Sequence, residues 1–153
     1  MCAIEDWQIF VSGGSASDHN EKSSSDKAEL YRIYEDEWVE LPRLVKGRRE
    51  HAMCALGLQG ALYVFGGSDM DHNQEAGIER LDLYKLDCWV QLRVLNMVQI
   101  DWTWHSVMPL NDTEILVLGG SIGVFNTQTC VLRKENESHG IPQIKPKYYP
   151  CVL

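Results

Sequence analysis

Two stretches of this sequence carry the same chemistry-bearing residues: GGSASDHN at 13–20 and GGSDMDHN at 66–73. Asp18, His19 and Asn20, and again Asp71, His72 and Asn73, offer carboxylate, imidazole and amide groups, with Glu21 and Glu75 close by. Such groups ligate divalent ions, but one His and one Asp per loop is less than a closed zinc site requires. Asp and Asn also favour turns by hydrogen-bonding their own backbone. Neither a metal nor a cofactor is therefore expected. His51 and His105 are a second candidate pair, each at the start of an apolar stretch. Catalysis there would need a nucleophile or carboxylate at a matched position in each copy, and no such match stands out. Both read instead as buried histidines hydrogen-bonded to a neighbouring element. Arg48, three residues before His51, reads as part of the same framework, with Trp102 in the matching place of the next copy.

The elements that must position these residues come from a repeat. Gly-Gly-Ser occurs three times, so that glycine pairs fall at 13–14, 66–67 and 119–120, 53 residues apart both times. A fixed period near 50 marks a repeat architecture. Each pair ends an apolar run, Ile9–Val11, Leu62–Phe65 and Ile115–Leu118, short enough for a strand buried on both faces. His-led stretches, HAMCAL (51–56) and HSVMPL (105–110), precede the second and third runs. AELYRIY (28–34) and IERLDLY (78–84) follow the first two loops, alternating as half-exposed strands do. A tryptophan then opens EWVEL (37–41) and CWVQL (88–92). The unit is four antiparallel strands, a to d.

These residues resemble the kelch repeat: an apolar run ending in Gly-Gly, a tyrosine closing strand c (Tyr34, Tyr84), and a tryptophan four or five residues later (Trp38, Trp89). The structural repeat positions are thus Gly13, Gly14, Gly66, Gly67, Gly119, Gly120, Tyr34, Tyr84, Trp38, Trp89, His51 and His105. The resemblance implies an all-β fold of kelch-type β-propeller blades, about three in this chain. Trp38 and Trp89 are expected to be core residues packed near the glycine pairs, where bare backbone leaves room for a large ring. The third copy departs from the pattern, with a short b–c loop and Phe125 and Val131 near the tyrosine and tryptophan positions. A thinner, less rigidly packed blade is expected there.

The blades are read as strands b–d over 7–41, a full set over 51–92 and another over 105–134, with a tail over 135–153 that holds a possible further strand a. Only six residues precede the first strand b, too few for a full strand a. Propellers ordinarily have four to eight blades. Either a longer protein supplies more blades or chains assemble into a larger ring, and an isolated three-blade ring is not expected to be a stable monomer.

Composition limits the partners. The 153 residues are 44% hydrophobic and 24% charged, with a formal charge of −8. Acidity of this size disfavours nucleic acid and anionic membrane. Five cysteines without a CxxC pair read as reduced thiols in the cytoplasm. Acidic residues at 5–6 interrupt any signal peptide, and no apolar run reaches the length of a membrane span. The terminal PCVL places its cysteine one residue too late for prenylation.

The function that the resemblance implies is non-catalytic protein–protein binding, a scaffold or adaptor. Some kelch-type proteins are ubiquitin-ligase receptors, although no BTB- or F-box-like segment stands in these residues. Metal-dependent oxidases of the same type are the alternative, but Tyr63 and His105 lack a ligand set. An up-and-down blade gathers its b–c and d–a loops on one face. Asp18, His19, Asn20, Asp71, His72, Asn73, Lys46 and Trp102 would then form a polar surface for a protein partner, since long loops on a rigid scaffold commonly carry binding.

Overall fold

The structure is a computed structural model describing residues 2–4, 8–18, 21–71, 73, 77–95, 105–119 and 121–134. In chain order the strands are β1 (Cys2–Ile4), β2 (Gln8–Ser12), β3 (Ser15–Asp18), β4 (Glu21–Ser24), β5 (Ala28–Arg32), β6 (Glu37–Leu41) and β7 (Ala52–Leu56). They continue as β8 (Ala61–Phe65), β9 (Ile78–Asp82), β10 (Trp89–Leu92), β11 (Ser106–Asn111), β12 (Glu114–Leu118), β13 (Ile122–Asn126) and β14 (Val131–Lys134). Three four-stranded antiparallel sheets result, β1-β2-β5-β6, β7-β8-β9-β10 and β11-β12-β13-β14, with β3-β4 as a separate hairpin. The fold is all-β, and the sheets are the blades of a partial propeller. Strand β7 approaches both β1 and β11, which places these three strands at the inner edges of blades 1, 2 and 3.

Alternation along each middle strand builds the blade stack. All five residues of β8 are buried. Leu62 and Val64 join Phe10, Leu30, Leu41 and Trp89 in the core between blades 1 and 2. Tyr63 and Phe65, pointing the opposite way, join Ile115, Val117, Phe125 and Leu132 between blades 2 and 3. A two-residue period thus distributes one strand between two interfaces.

Four expectations need correction. The first copy does have a strand a, because β1 pairs with β2 through Cys2↔Phe10, Ala3↔Ile9 and Ile4↔Gln8. Three residues are enough to satisfy much of that edge of β2. Blade 3 is not thin: it has all four strands, and Phe125 is fully buried. Its ring meets Phe65 edge-on at 5.6 Å and Tyr63 at 6.4 Å. Phe125 lies inside β13 and faces blade 2, so it is no counterpart of the tyrosines that follow strand c. Tyr34 and Tyr84 are themselves exposed, since both stand in turns rather than strands. Tyr84 lies over Gly60, where a Cβ would come 2.6 Å from its Cζ.

The fourth correction concerns the tryptophans. Trp89 is buried at 4% exposure, but Trp38 is 56% exposed and stacks on Tyr31 with ring centroids 4.9 Å apart. Neither ring fills the space beside the glycines. A Cβ on Gly13 would lie 2.6 Å from His51 Cε1, and one on Gly67 would lie 2.5 Å from the Arg49 carbonyl and 2.9 Å from His51 Cβ. The glycine pairs therefore make room for His51 and for the backbone that leads to it.

Candidate functional site

The meander connects strands b to c and d to a at the same end of each blade, which brings the glycine pairs and the segment 42–51 together. Positive φ at Gly13 (62°), Gly14 (102°), Gly66 (54°) and Gly67 (95°) turns the chain out of β2 and β8. Gly14 N–H donates to Arg48 O at 2.8 Å, and Arg48 N–H donates to Ser25 O at 3.0 Å. One residue further along, Arg49 and Ser68 exchange both backbone hydrogen bonds, at 3.0 and 2.9 Å. Segment 48–49 thus crosses from blade 1 to blade 2, tied on each side by backbone.

Beneath it lies a buried ion pair. The Arg48 and Glu79 side chains are both fully buried and in direct contact. Arg48 also donates to Gly66 O at 2.8 Å and Gly77 O at 3.1 Å, closing the base of the second loop. The Glu79 carboxylate accepts from the backbone N–H of Val45 at 2.8 Å and of Lys46 at 3.3 Å. Charges taken out of water need this degree of satisfaction. Sequence reading placed Arg48 in the framework but missed Glu79. The usable signal was an acidic residue at matched positions of two c strands, Glu29 and Glu79.

His51 stands above the ion pair and reaches back across the interface. Its Nε2 is 2.9 Å from Ser12 Oγ, between blades 2 and 1. Burial, with Arg48 and His105 adding their charges, pushes its pKa down to about 3. His51 is therefore neutral near pH 7. His105, the matching residue of blade 3, is also buried. At the lip sits Glu50, exposed, with φ of 57°. Its carboxylate accepts a hydrogen bond from Ser68 Oγ at 3.2 Å. Left-handed backbone costs a residue with a Cβ about 1–2 kcal/mol, so packing and hydrogen bonds around Glu50 must sustain it. The polar set at this face is Ser12, Arg49, Glu50, His51 and Ser68, of which sequence reading had singled out His51 alone.

The two Asp-His-Asn loops share letters but not structure. Asp18 ends β3 and is in register with Glu21 across the β3–β4 hairpin. Asp71 and Asn73 belong to a turn organised by Asp69, whose Oδ1 accepts from both of their N–H groups at 2.9 Å. Asn73 Nδ2 donates to Asp69 Oδ2 at 2.9 Å, so this side chain serves its own loop. Asp71 and the Lys46 side chain are exposed. His19, Asn20, His72, Trp102 and Gly120 lie outside the described residues. No group of three or more His, Cys, Asp or Glu that could hold a metal occurs among the described residues. No helix among them is long and apolar enough to cross a membrane.

The opposite end of the inner strands has a cavity of about 320 Å³ between β7 and β11, lined by Ala55, Leu56, Gly57, Pro109, Leu110, Asn111 and Asp112. Its one ionisable side chain, Asp112, makes it a poorer setting for chemistry than the glycine-pair face.

No family model matches the sequence. Over 116 residues the chain is 31% identical to N-acetylneuraminate epimerase of Salmonella arizonae, a match covering 73% of this chain and 28% of that protein. The chain thus corresponds to little more than a quarter of its relative. That relative is an enzyme, which overturns the expectation of a non-catalytic chain. A catalytic site need not repeat one group in every copy of a repeat, so the lack of a matched nucleophile or carboxylate does not exclude catalysis.

Proposed function

We propose that the chain forms three successive blades of a kelch-type β-propeller enzyme, an epimerase of amino-sugar acids, with the glycine-pair face turned to the sugar. The similarity to an N-acetylneuraminate epimerase along 73% of the chain carries this reading. The face has suitable chemistry. An epimerase must break and remake a bond at one carbon, which calls for groups that donate and accept protons. Glu50 is an exposed carboxylate held beside the Ser68 hydroxyl, placed to exchange a proton with a bound sugar. A strained backbone at Glu50 fits a residue kept in place for function. The neutral His51 and the Arg48–Glu79 pair support the platform from below.

The test is proton NMR of freshly dissolved single-anomer N-acetylneuraminate with the purified protein. Faster interconversion than in buffer is expected, and Glu50→Gln should return it towards the buffer rate while the fold persists. Buffer-rate interconversion together with no saturation transfer from protein to sugar would overturn the reading.

A further inference from the structure

Glu50 stands where blades 1 and 2 are tied together, and its neighbours on both sides are fixed. Before it, Arg49 N–H donates to Ser68 O at 3.0 Å and Ser68 N–H donates to Arg49 O at 2.9 Å. This close pairing needs Gly67, where a Cβ would lie 2.5 Å from Arg49 O. After it, His51 Nε2 is 2.9 Å from Ser12 Oγ of blade 1. Between these ties Glu50 has a φ of 57°, a conformation that glycine adopts freely and glutamate only at a cost. The backbone of Glu50 is therefore set by its neighbours. Ser68 sets the side chain. It is 1% exposed, so its hydroxyl has little access to water, and Oγ donates to Glu50 Oε2 at 3.2 Å. Glu50 itself is exposed, and this contact engages Oε2 and leaves Oε1 available at the surface.

We propose that Ser68 is the positioning residue of this site: its hydroxyl fixes Glu50 Oε2 so that Oε1 exchanges the proton with the sugar. Oε1 accepts the hydroxyl proton at the epimerised carbon as the ring C–O bond breaks to leave a carbonyl. The ring oxygen keeps that electron pair and takes a proton from water, and reclosure on the other face of the carbonyl returns both protons. A carboxylate free to rotate would meet the hydroxyl in the right geometry only part of the time. This role rests on the sugar-binding reading of the face, whereas the orientation of Glu50 by Ser68 is measurable without sugar.

Ser68→Ala separates positioning from a merely structural hydrogen bond. In the unaltered protein without sugar, the proton–proton couplings along the Glu50 side chain should report one rotamer, and in Ser68→Ala they should average. With N-acetylneuraminate, Ser68→Ala should lower the rate of anomer interconversion at saturating sugar by about tenfold to a hundredfold. The half-saturating concentration should stay unchanged. In a Glu50→Gln background the same substitution should cause no further loss, because Ser68 acts through the Glu50 carboxylate. Averaged couplings in the unaltered protein, or couplings indifferent to Ser68→Ala, would overturn the proposal whether or not the protein is active. So would a rate unaffected by Ser68→Ala, or an equal further loss in the Glu50→Gln background. A protein that holds Glu50 in one rotamer yet accelerates nothing would instead overturn the sugar reading, and the catalytic role of Ser68 with it.

Discussion

Blades 1 and 2 carry the same tryptophan on the same strand, yet Trp38 is 56% exposed and Trp89 is 4% exposed. The strands themselves do not explain the difference. Trp38 lies opposite Tyr31, and Trp89 lies opposite Leu81, in equivalent registers. What differs is the neighbour. Blade 2 lies under the 42–45 segment of blade 1, and Trp89 donates to its Pro42 carbonyl. Burial in a repeat protein is thus a property of the interface between units, because each unit alone cannot bury its apolar faces. The acids at the matching positions behave likewise: Glu79 is enclosed with Arg48, and Glu29 is exposed.

If that account holds, substitutions at matched positions should have very unequal effects. The largest is expected at the ion pair. Arg48→Ala leaves the Glu79 carboxylate buried without its cation and frees the Gly66 and Gly77 carbonyls, at a cost of about 3–5 kcal/mol. Glu29→Ala should stay within about 0.5 kcal/mol, as exposed substitutions usually do. Urea denaturation of the two variants measures both, and equal losses would break the comparison.

The tryptophans come next. Trp89→Ala removes a nearly enclosed ring and its hydrogen bond, with an expected loss of about 3–5 kcal/mol, somewhat below the ion pair because no charge is stranded. Trp38→Ala, measured in dilute solution, should cost less than about 1 kcal/mol, since only its stacking on Tyr31 is lost. Thermal melts that shift equally would show that blade 1 is covered after all.

A pH dependence sharpens the account at the blade 1–blade 2 interface. His51 has its folded pKa lowered to about 3, well below the ordinary histidine value near 6.5 in an unfolded chain. The unfolded state then binds the extra proton first. Stability from the neutral, buried form is complete above about pH 6.5 and is lost progressively as pH falls towards 3. An effect on the order of 5 kcal/mol is expected across that window. His51→Gln, which keeps a polar group near Ser12 but cannot titrate, should flatten this part of the stability curve. A curve unchanged by the substitution would place the acid sensitivity elsewhere.

Much of the stack was readable from the chain because the glycine pairs recur at a constant spacing. The runs before them, 9–11, 62–65 and 115–118, fall inside β2, β8 and β12. His51 and Arg48 were recognisable as framework because they stand just before a regular strand. Trp38 was misread because a repeat motif identifies equivalent positions, and equivalence says nothing of which neighbour each unit meets. Gly13 and Gly67 were assigned a tryptophan partner because spacing reveals that room exists beside them, not which segment fills it. Glu50 was invisible for another reason: its left-handed backbone follows from the path of segment 48–51 between two blades, a long-range effect with no local signature.

The smallest effect is expected in the loops, where two identical motifs have different supports. Asp69 holds its loop through three hydrogen bonds, to the N–H groups of Asp71 and Asn73 and to the Asn73 amide. These are exposed, and each is worth less than a buried bond, so Asp69→Ala should cost about 1 kcal/mol. Asp71→Ala removes a side chain in an exposed position and should stay within about 0.5 kcal/mol. Local hydrogen exchange is the sensitive readout: amides of residues 71 and 73 should lose protection in Asp69→Ala and keep it in Asp71→Ala. Equal protection in both variants would mean that the loop is organised from outside Asp69. The repeated letters of the Asp-His-Asn motif would then have the same support in both blades, and the contrast between its two copies would fail.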